Sequence, residues 1–136
     1  MTDCIFCKIV AGEVPAHVIV DEDEVIAIMD VGHVNPGHTL VIAKAHAETI
    51  MDLSEDVAAR MFRVANRVAK ALERTYEPDG MTILQANRPA GFQTVGHVHL
   101  HVLPRHHDDG VTLTWPGKNP PQDQLAATAE QLRAVL

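Results

Sequence analysis

The sequence predicts an α+β domain built on an antiparallel sheet, and three observations carry the prediction. Two strand-like runs flank a polar turn near the N-terminus, one long segment has helical periodicity, and a second pair of strand-like runs follows it. At 136 residues the chain is long enough to enclose one core, and no repeat or linker divides it.

Residues 8–14 read as a short helical turn or a strand edge, closed by Gly12 and Pro15. The stretch HVIVDEDEVIAIMD reads as two strands around a turn. Val18 and Val20 alternate, Asp21 to Glu24 form the polar turn, and Val25 to Met29 are largely apolar. Asn35-Pro36-Gly37 is a strong turn signal, and His38 to Ala43 is the next β-branched run. Ser54 can cap a helix whose first turn holds Glu55 and Asp56, favourable at the positive end of its dipole. Val57, Met61, Val64, Val68 and Leu72 recur at helical spacing, and Glu77-Pro78-Asp79-Gly80 ends the helix. Met81 to Ala86 and Val95 to Leu103 read as two more strands, separated by NRPAGFQT. Residues 106–121 form an irregular arm. Gln122 to Leu136 is a terminal helix whose apolar face holds Leu125, Leu132 and Val135 or Leu136.

The charge excludes one class of function. Eighteen acidic residues against eleven basic ones give a net charge of −7, which disfavours nonspecific binding to a nucleic-acid polymer. A small anion remains compatible, because one pocket can be rich in N–H donors. No apolar run approaches the roughly 20 residues that span a bilayer. The N-terminus has no basic region followed by a long apolar stretch, so a cytoplasmic protein is expected.

Three of the nine histidines stand in VGHVHLHVLP, at every second position. On a strand His97, His99 and His101 share one face, while Val98, Leu100 and Val102 enter the core. Neighbouring rings are then about 7 Å apart and the outer two about 13–14 Å. One zinc ion, with Zn–N bonds of about 2.0–2.1 Å, cannot take all three. The row therefore has divided duties. Imidazole is poised near neutral pH, which suits nucleophilic or acid–base work and contact with an anion.

Cys4 and Cys7 form a CxxC pair. A reducing compartment argues against a structural disulfide, leaving a redox pair or a closed Cys2His2 zinc site. The strands that follow are antiparallel rather than βαβ, which favours zinc, but spacing does not select its histidine partners. His38 and His46 taken alone are surface or capping histidines. Asp30 is a turn-former or a hydroxyl acceptor. Asn87, Gly91, Gln93, Thr94 and Gly96 form either a flexible hairpin loop or a close approach to phosphate and sugar oxygens.

Assembled, these residues resemble the histidine-triad (HIT) family of nucleotide-binding proteins, whose signature His-φ-His-φ-His-φ-φ stands here as His97-Val-His99-Leu-His101-Val-Leu. The likeness runs over nearly all of residues 3–105, and with both cysteines and Trp115 it is nearest the zinc-containing bacterial branch. It implies a HIT domain over residues 1–110, with the arm and helix of 111–136 in the same domain. It also implies a five-stranded meander sheet carrying the long helix and a two-fold dimer with a continuous sheet. The implied activity is a nucleotide hydrolase or transferase cleaving the α-phosphate bond of purine nucleotide conjugates: phosphoramidates, adenylylated molecules or dinucleoside polyphosphates. His99 is the implied nucleophile, giving a nucleotidyl-histidine intermediate, with His101, His38, Gln93 and Thr94 around the phosphate. Asp30 is implied to hold the ribose and Asn87 to sit beside the phosphate. Ile5, Phe6, Ile9, Ile28, Val31 and Leu40 are implied to line the base pocket. Structural zinc falls to Cys4, Cys7, His46 and His97. Gly96 and Ile28 depart from bulkier or aromatic residues in relatives, and His106 and His107 lie outside the motif. The alternative is a zinc-stabilised nucleotide-binding interaction module with little turnover.

Overall fold

The computed structural model describes residues 3–136. Its elements are α1 (Ile5–Val10), β1 (Val18–Asp21), β2 (Val25–Met29), β3 (Thr39–Ala43), α2 (Glu55–Tyr76), β4 (Gly80–Gln85), β5 (His99–Arg105) and α3 (Gln122–Arg133). Short 3-10 turns occupy Ile50–Asp52 and Pro89–Gly91. No helix among the described residues is long and apolar enough to cross a membrane.

The five strands form one antiparallel sheet in the order β1-β2-β3-β5-β4. The first three strands meander as expected. The last two exchange places, because α2 carries the chain across the sheet and delivers β4 to the outer edge. β5 then fills the gap beside β3. Ile28 pairs with Leu40 and Leu40 with His101, while Ile26 pairs with Ile42 and Ile42 with His99. Directly paired residues share a face, so one face carries Ile26, Ile28, Leu40 and Ile42 with two histidines among them. The alternate residues, Val25, Ala27, Val41, Ala43, Leu100 and Val102, face α2.

α2 packs there through Met61, Val64, Ala65, Val68 and Leu72, the periodic face read from the sequence, with Val57 partly buried beside it. The Ser54 hydroxyl accepts from the Val57 N–H at 3.2 Å, and Glu77 closes the helix in the left-handed region. On the other face Phe6 of α1 lies against Ile26, Ile28, Leu40 and Ile42. Burial on both sides explains why all five residues of β3 are buried. The turn before it is tight: the His38 N–H donates to the Asn35 carbonyl at 3.1 Å, and Gly37 has φ +92°. A Cβ at Gly37 would come within 2.7 Å of Leu72 and Tyr76, so both backbone and space require glycine.

β3, β4 and α3 differ by one to three residues from the sequence reading, and the ends of α1 and β5 differ for identifiable reasons. α1 starts at Ile5, not residue 8, because the Cys4 sulfur accepts from the Cys7 N–H and caps it. β5 starts at His99, not Val95. The Val98 N–H bonds the Ala47 carbonyl and the His97 N–H bonds Val95, so the first triad histidine sits in a turn before the strand. β5 continues through Pro104, whose missing N–H is tolerated because pairing with β3 ends at Val102. α3 forms as expected, but it buries none of its residues, and Leu125 and Leu132 are exposed.

Leu100 is 1 % exposed at the centre of the α2-facing core. Leu100→Ala is expected to lower unfolding free energy by about 3 kcal/mol in urea titrations. A loss below about 1 kcal/mol would contradict this packing.

Candidate functional site

Two clusters of titratable side chains lie next to each other on the Phe6 face, and His97 joins them. Its Nε2–H donates to the Ala43 carbonyl at 2.7 Å, which leaves the Nδ1 lone pair free. Nδ1 lies 3.2 Å from the Cys4 sulfur, 3.6 Å from the Cys7 sulfur and 3.2 Å from His46 Nδ1, and the Cys7 sulfur is 3.3 Å from that same nitrogen. All four donor atoms fall within 4.8 Å of one another. Two thiolates and two imidazoles around one tetrahedral zinc would stand about 3.3–3.8 Å apart, so the donor set fits such an ion. A backbone-anchored histidine with its other nitrogen aimed inward is the usual second-sphere arrangement of a metal ligand. Burial and the neighbouring Cys4 sulfur push the Cys7 thiol above its ordinary range, and a divalent cation reverses that preference.

The second cluster starts from the His97 main chain. His99 Nδ1–H donates to the His97 carbonyl at 2.7 Å, leaving the Nε2 lone pair of a ring that is 5 % exposed. Phe6 packs edge-on to His99 with centroids 5.1 Å apart. His38 Nδ1 accepts from the Val34 N–H at 3.2 Å, so its Nε2 carries the proton. That N–H donates to His101 Nδ1 at 2.9 Å, with Asp30 Oδ2 at 3.4 Å from the same nitrogen. His101 is thereby left with its own proton on Nε2. The hydrogen bonds thus set a lone pair on His99 beside an N–H on His101, with ring centroids 5.0 Å apart. Burial lowers the proton affinity of His38, His97 and His99, and takes His101 down to about 4, with His99 and His38 adding to the effect. The rings are neutral at pH 7, the form in which imidazole is a nucleophile.

Both histidines open into a cavity of about 270 Å³. Its apolar wall holds Ile5, Phe6, Ile9, Ile28, Val31 and Leu40, all predicted from the sequence. Pro15, Ala16, Met29 and Val95 complete it, and Asp30 and Thr94 are its other polar groups. A larger open groove of about 790 Å³ runs beside α2 past Phe62, Arg60, Arg63 and Arg67, but no histidine, cysteine or hydroxyl side chain lines it.

Three residues predicted around the nucleotide stand outside the cavity wall: His38, which reaches it through His101, and Asn87 and Gln93. Asn87 Oδ1 accepts from the Ile50 N–H at 2.8 Å and from Gln85. Gln93 Nε2 donates to the Glu48 carbonyl at 2.6 Å, and its Oε1 accepts from the Arg88 N–H. Both tie the 87–94 loop to the chain after β3. The sequence reading also missed a clamp at the far end of β5. The Asp109 carboxylate accepts from Arg105 Nε at 2.8 Å, Asn35 Nδ2 at 2.9 Å and the His106 and Val111 N–H groups. Arg105 holds that carboxyl well below the usual carboxylate range. Asn35 also donates to the Pro104 carbonyl, which pins the turn supplying the Val34 N–H to His38. Only the turn-like Asp108-Asp109-Gly110 hinted at it, and it read as arm.

Residues 11–108 match the HIT domain family. The chain belongs to the HIT family. It is 32% identical over 134 residues to the adenosine 5'-monophosphoramidase hnt1 of Schizosaccharomyces pombe, covering 98% of each chain. Its fold matches the crystal structure of a HIT family protein from Bacillus anthracis with a TM-score of 0.95 at 31% identity, over 98% of this chain and 97% of that one. It also matches a Zn-bound histidine triad family protein from Mycobacterium smegmatis, with a TM-score of 0.77 at 34% identity over 99% of each chain. The triad of this HIT protein is thus met in its family's fold, with the first histidine turned towards the thiols.

The buried rings give the fold an acid limit. Each is harder to protonate folded than unfolded, so stability is complete above the unfolded value of about 6.5 and is lost as pH falls through the folded values, about 4 for His101. Thermal midpoints are expected to fall steadily from about pH 7 to 4.5, with a shallower slope in His101→Gln. A level midpoint over that range would contradict the burial of these rings.

Proposed function

We propose that this HIT protein is a nucleotide hydrolase that releases the nucleoside monophosphate from purine nucleotide conjugates, nucleoside phosphoramidates above all, through a nucleotidyl intermediate on His99. The observation that carries the reading is the 2.7 Å bond from His99 Nδ1–H to the His97 carbonyl, which leaves Nε2 unprotonated at the cavity wall. The relative named an adenosine 5'-monophosphoramidase supports the substrate class.

In this reading His99 Nε2 attacks the α-phosphorus and forms a P–N bond. The substrate's own P–N bond breaks with its electron pair on the departing amine, which takes a proton at the open rim. Water then attacks phosphorus, restores the Nε2 lone pair and releases the nucleoside monophosphate and a proton. His99 becomes cationic as it bonds to phosphorus, so its bond to the His97 carbonyl strengthens in the transition state. His101 donates its Nε2–H to a phosphoryl oxygen, and His38 holds it in that tautomer. Asp30 takes the ribose hydroxyls, Thr94 meets the phosphate or leaving group, and the apolar wall takes the base. Gln93 and Asn87 are positioning residues, each holding the 87–94 loop in place.

We assign structural zinc to Cys4, Cys7, His46 and His97, and the clustering of these four donors supports reading the protein as one of the zinc-containing branch. When bound, the ion supplies a crosslink between α1 and the turn before β5, and no reacting group. The two free, adjacent thiols suit the reducing cytoplasm. The exposed Ile83 and Leu84 on edge strand β4 support a homodimer that continues the sheet.

His99→Ala is expected to cut AMP release from adenosine 5'-phosphoramidate at least about a thousandfold while AMP still binds. A variant as active as wild type, or an inert wild type, would exclude this chemistry. Cys4→Ser is expected to lose most bound zinc and several degrees of thermal midpoint before it loses nucleotide affinity. Metal analysis finding no zinc in the wild-type protein would remove that assignment.

A further inference from the structure

The loop that leads into the cavity presents an aromatic ring that the reading above does not use. The chain is poor in aromatics, with three Phe, one Trp and one Tyr. Phe6 is buried against the sheet and Phe62 lies half out on α2, yet Phe92 is 87% exposed. It is also held there against local preference. Phe92 sits in the left-handed region at φ 69°, ψ 22°, and four residues earlier Arg88 has φ 62°, ψ 165°, a region that is essentially glycine's.

Hydrogen bonds enforce this conformation. The Phe92 N–H donates to the Pro89 carbonyl at 3.0 Å, and the Gly91 and Gln93 N–H groups donate to the Arg88 carbonyl at 3.0 and 3.1 Å. The Arg88 N–H donates to Gln93 Oε1 at 2.6 Å, while Gln93 Nε2 anchors the loop on Glu48. A rigid loop carrying a solvated phenyl group is what a stacking platform needs, since little freedom is lost when a ligand lies against it. Non-glycine residues in such regions cluster at ligand-contacting loops.

Position says which part of the ligand is concerned. Phe92 lies two residues before Thr94, so its Cα is within about 7.6 Å of the Thr94 Cα, by the spacing of trans peptides. Thr94 lines the cavity with His99 and His101. The apolar interior accommodates one base. A ring outside that enclosure, at the Thr94 end, meets the portion of a conjugate that lies beyond the phosphorus.

We propose that Phe92 forms the wall of a leaving-group subsite, and that the protein favours conjugates whose departing group carries a flat aromatic ring, either an amine with an aromatic side chain or a second nucleobase. The inference rests on the phosphoramidase-type reading of the site and adds specificity to it. Face-to-face contact with one ring supports a preference of roughly five- to tenfold.

The test compares kcat/KM for two matched pairs: an indolylethyl against a hexyl adenosine 5'-phosphoramidate, and diadenosine triphosphate against ADP. In wild type the aromatic member of a pair is favoured. In Phe92→Ala that ratio drops five- to tenfold, and in Phe92→Tyr it is retained. A drop confined to the amine pair assigns an amine with an aromatic side chain, and one confined to the nucleotide pair assigns a second base. Phe92→Gly removes the strain of a side chain at positive φ, so it melts no lower than wild type while losing the same preference. Equilibrium binding of the four compounds to the His99→Ala protein reads the same ratios without turnover, which separates failure of the subsite from failure of the activity. Ratios that Phe92→Ala leaves unchanged in both pairs overturn the proposal, as does an equal loss for all four compounds accompanied by a lower melting point or altered oligomer mass.

Discussion

The hydrogen bond from His99 to the backbone of His97 is the constraint on which the site depends. A single residue accepts it through its carbonyl, anchors its own ring on β3 through the Ala43 carbonyl, and turns Nδ1 to the thiols. The orientation of the central imidazole therefore follows from where the neighbouring cluster holds His97. A helix of only six residues, α1, supplies both the Cys7 sulfur and the Phe6 ring that packs on His97 and His99. The thiol–imidazole cluster, the apolar cavity wall and the central imidazole are thus not three separable parts. They share one short helix and one turn of backbone.

The sheet makes this possible by being buried on both faces for different reasons. The α2 side is a close-packed core of alternating residues from β2, β3 and β5, and it provides the stability. The other side is covered by less chain, so the imidazoles of β5 stand among Ile26, Ile28, Leu40 and Ile42 but keep an opening. Partial cover depresses the proton affinity of His38, His99 and His101 while leaving His99 and His101 on the cavity wall. At the opposite end of β5, the Asn35–Asp109–Arg105 clamp holds the turn that dictates the tautomer of His38. The lone pair of His99 and the N–H of His101 are in this way fixed from two ends of one strand.

Much of this was legible along the chain. Helical spacing from Val57 to Leu72 found the buried face of the 22-residue α2, because a 3.6-residue period sustained over four turns has no other reading. Alternation placed His99 and His101 on one face and Leu100 and Val102 on the other. The six apolar cavity residues came from the family likeness, and all six line the cavity. What was not legible depends on contacts remote in sequence. Nothing local tells that Val98 bonds Ala47 and so holds His97 out of β5, or that Asn87 and Gln93 spend their amides on Ile50 and Glu48. The exchange of β4 and β5 was hidden for the same reason, since strand order follows from how α2 crosses the sheet.

The division has a simple physical origin. Period, capping and turn chemistry are decided within a few residues, so the sequence alone determined the element types, the buried stripe of α2 and the residues rich in chemistry. A hydrogen bond's direction and a tautomer are decided by whichever group stands opposite, 54 residues away for His97 and Ala43 and 74 for Asn35 and Asp109. Only the tertiary structure could choose between Nδ1 and Nε2 on each ring, and with them which histidine at the cavity holds a lone pair and which holds a proton.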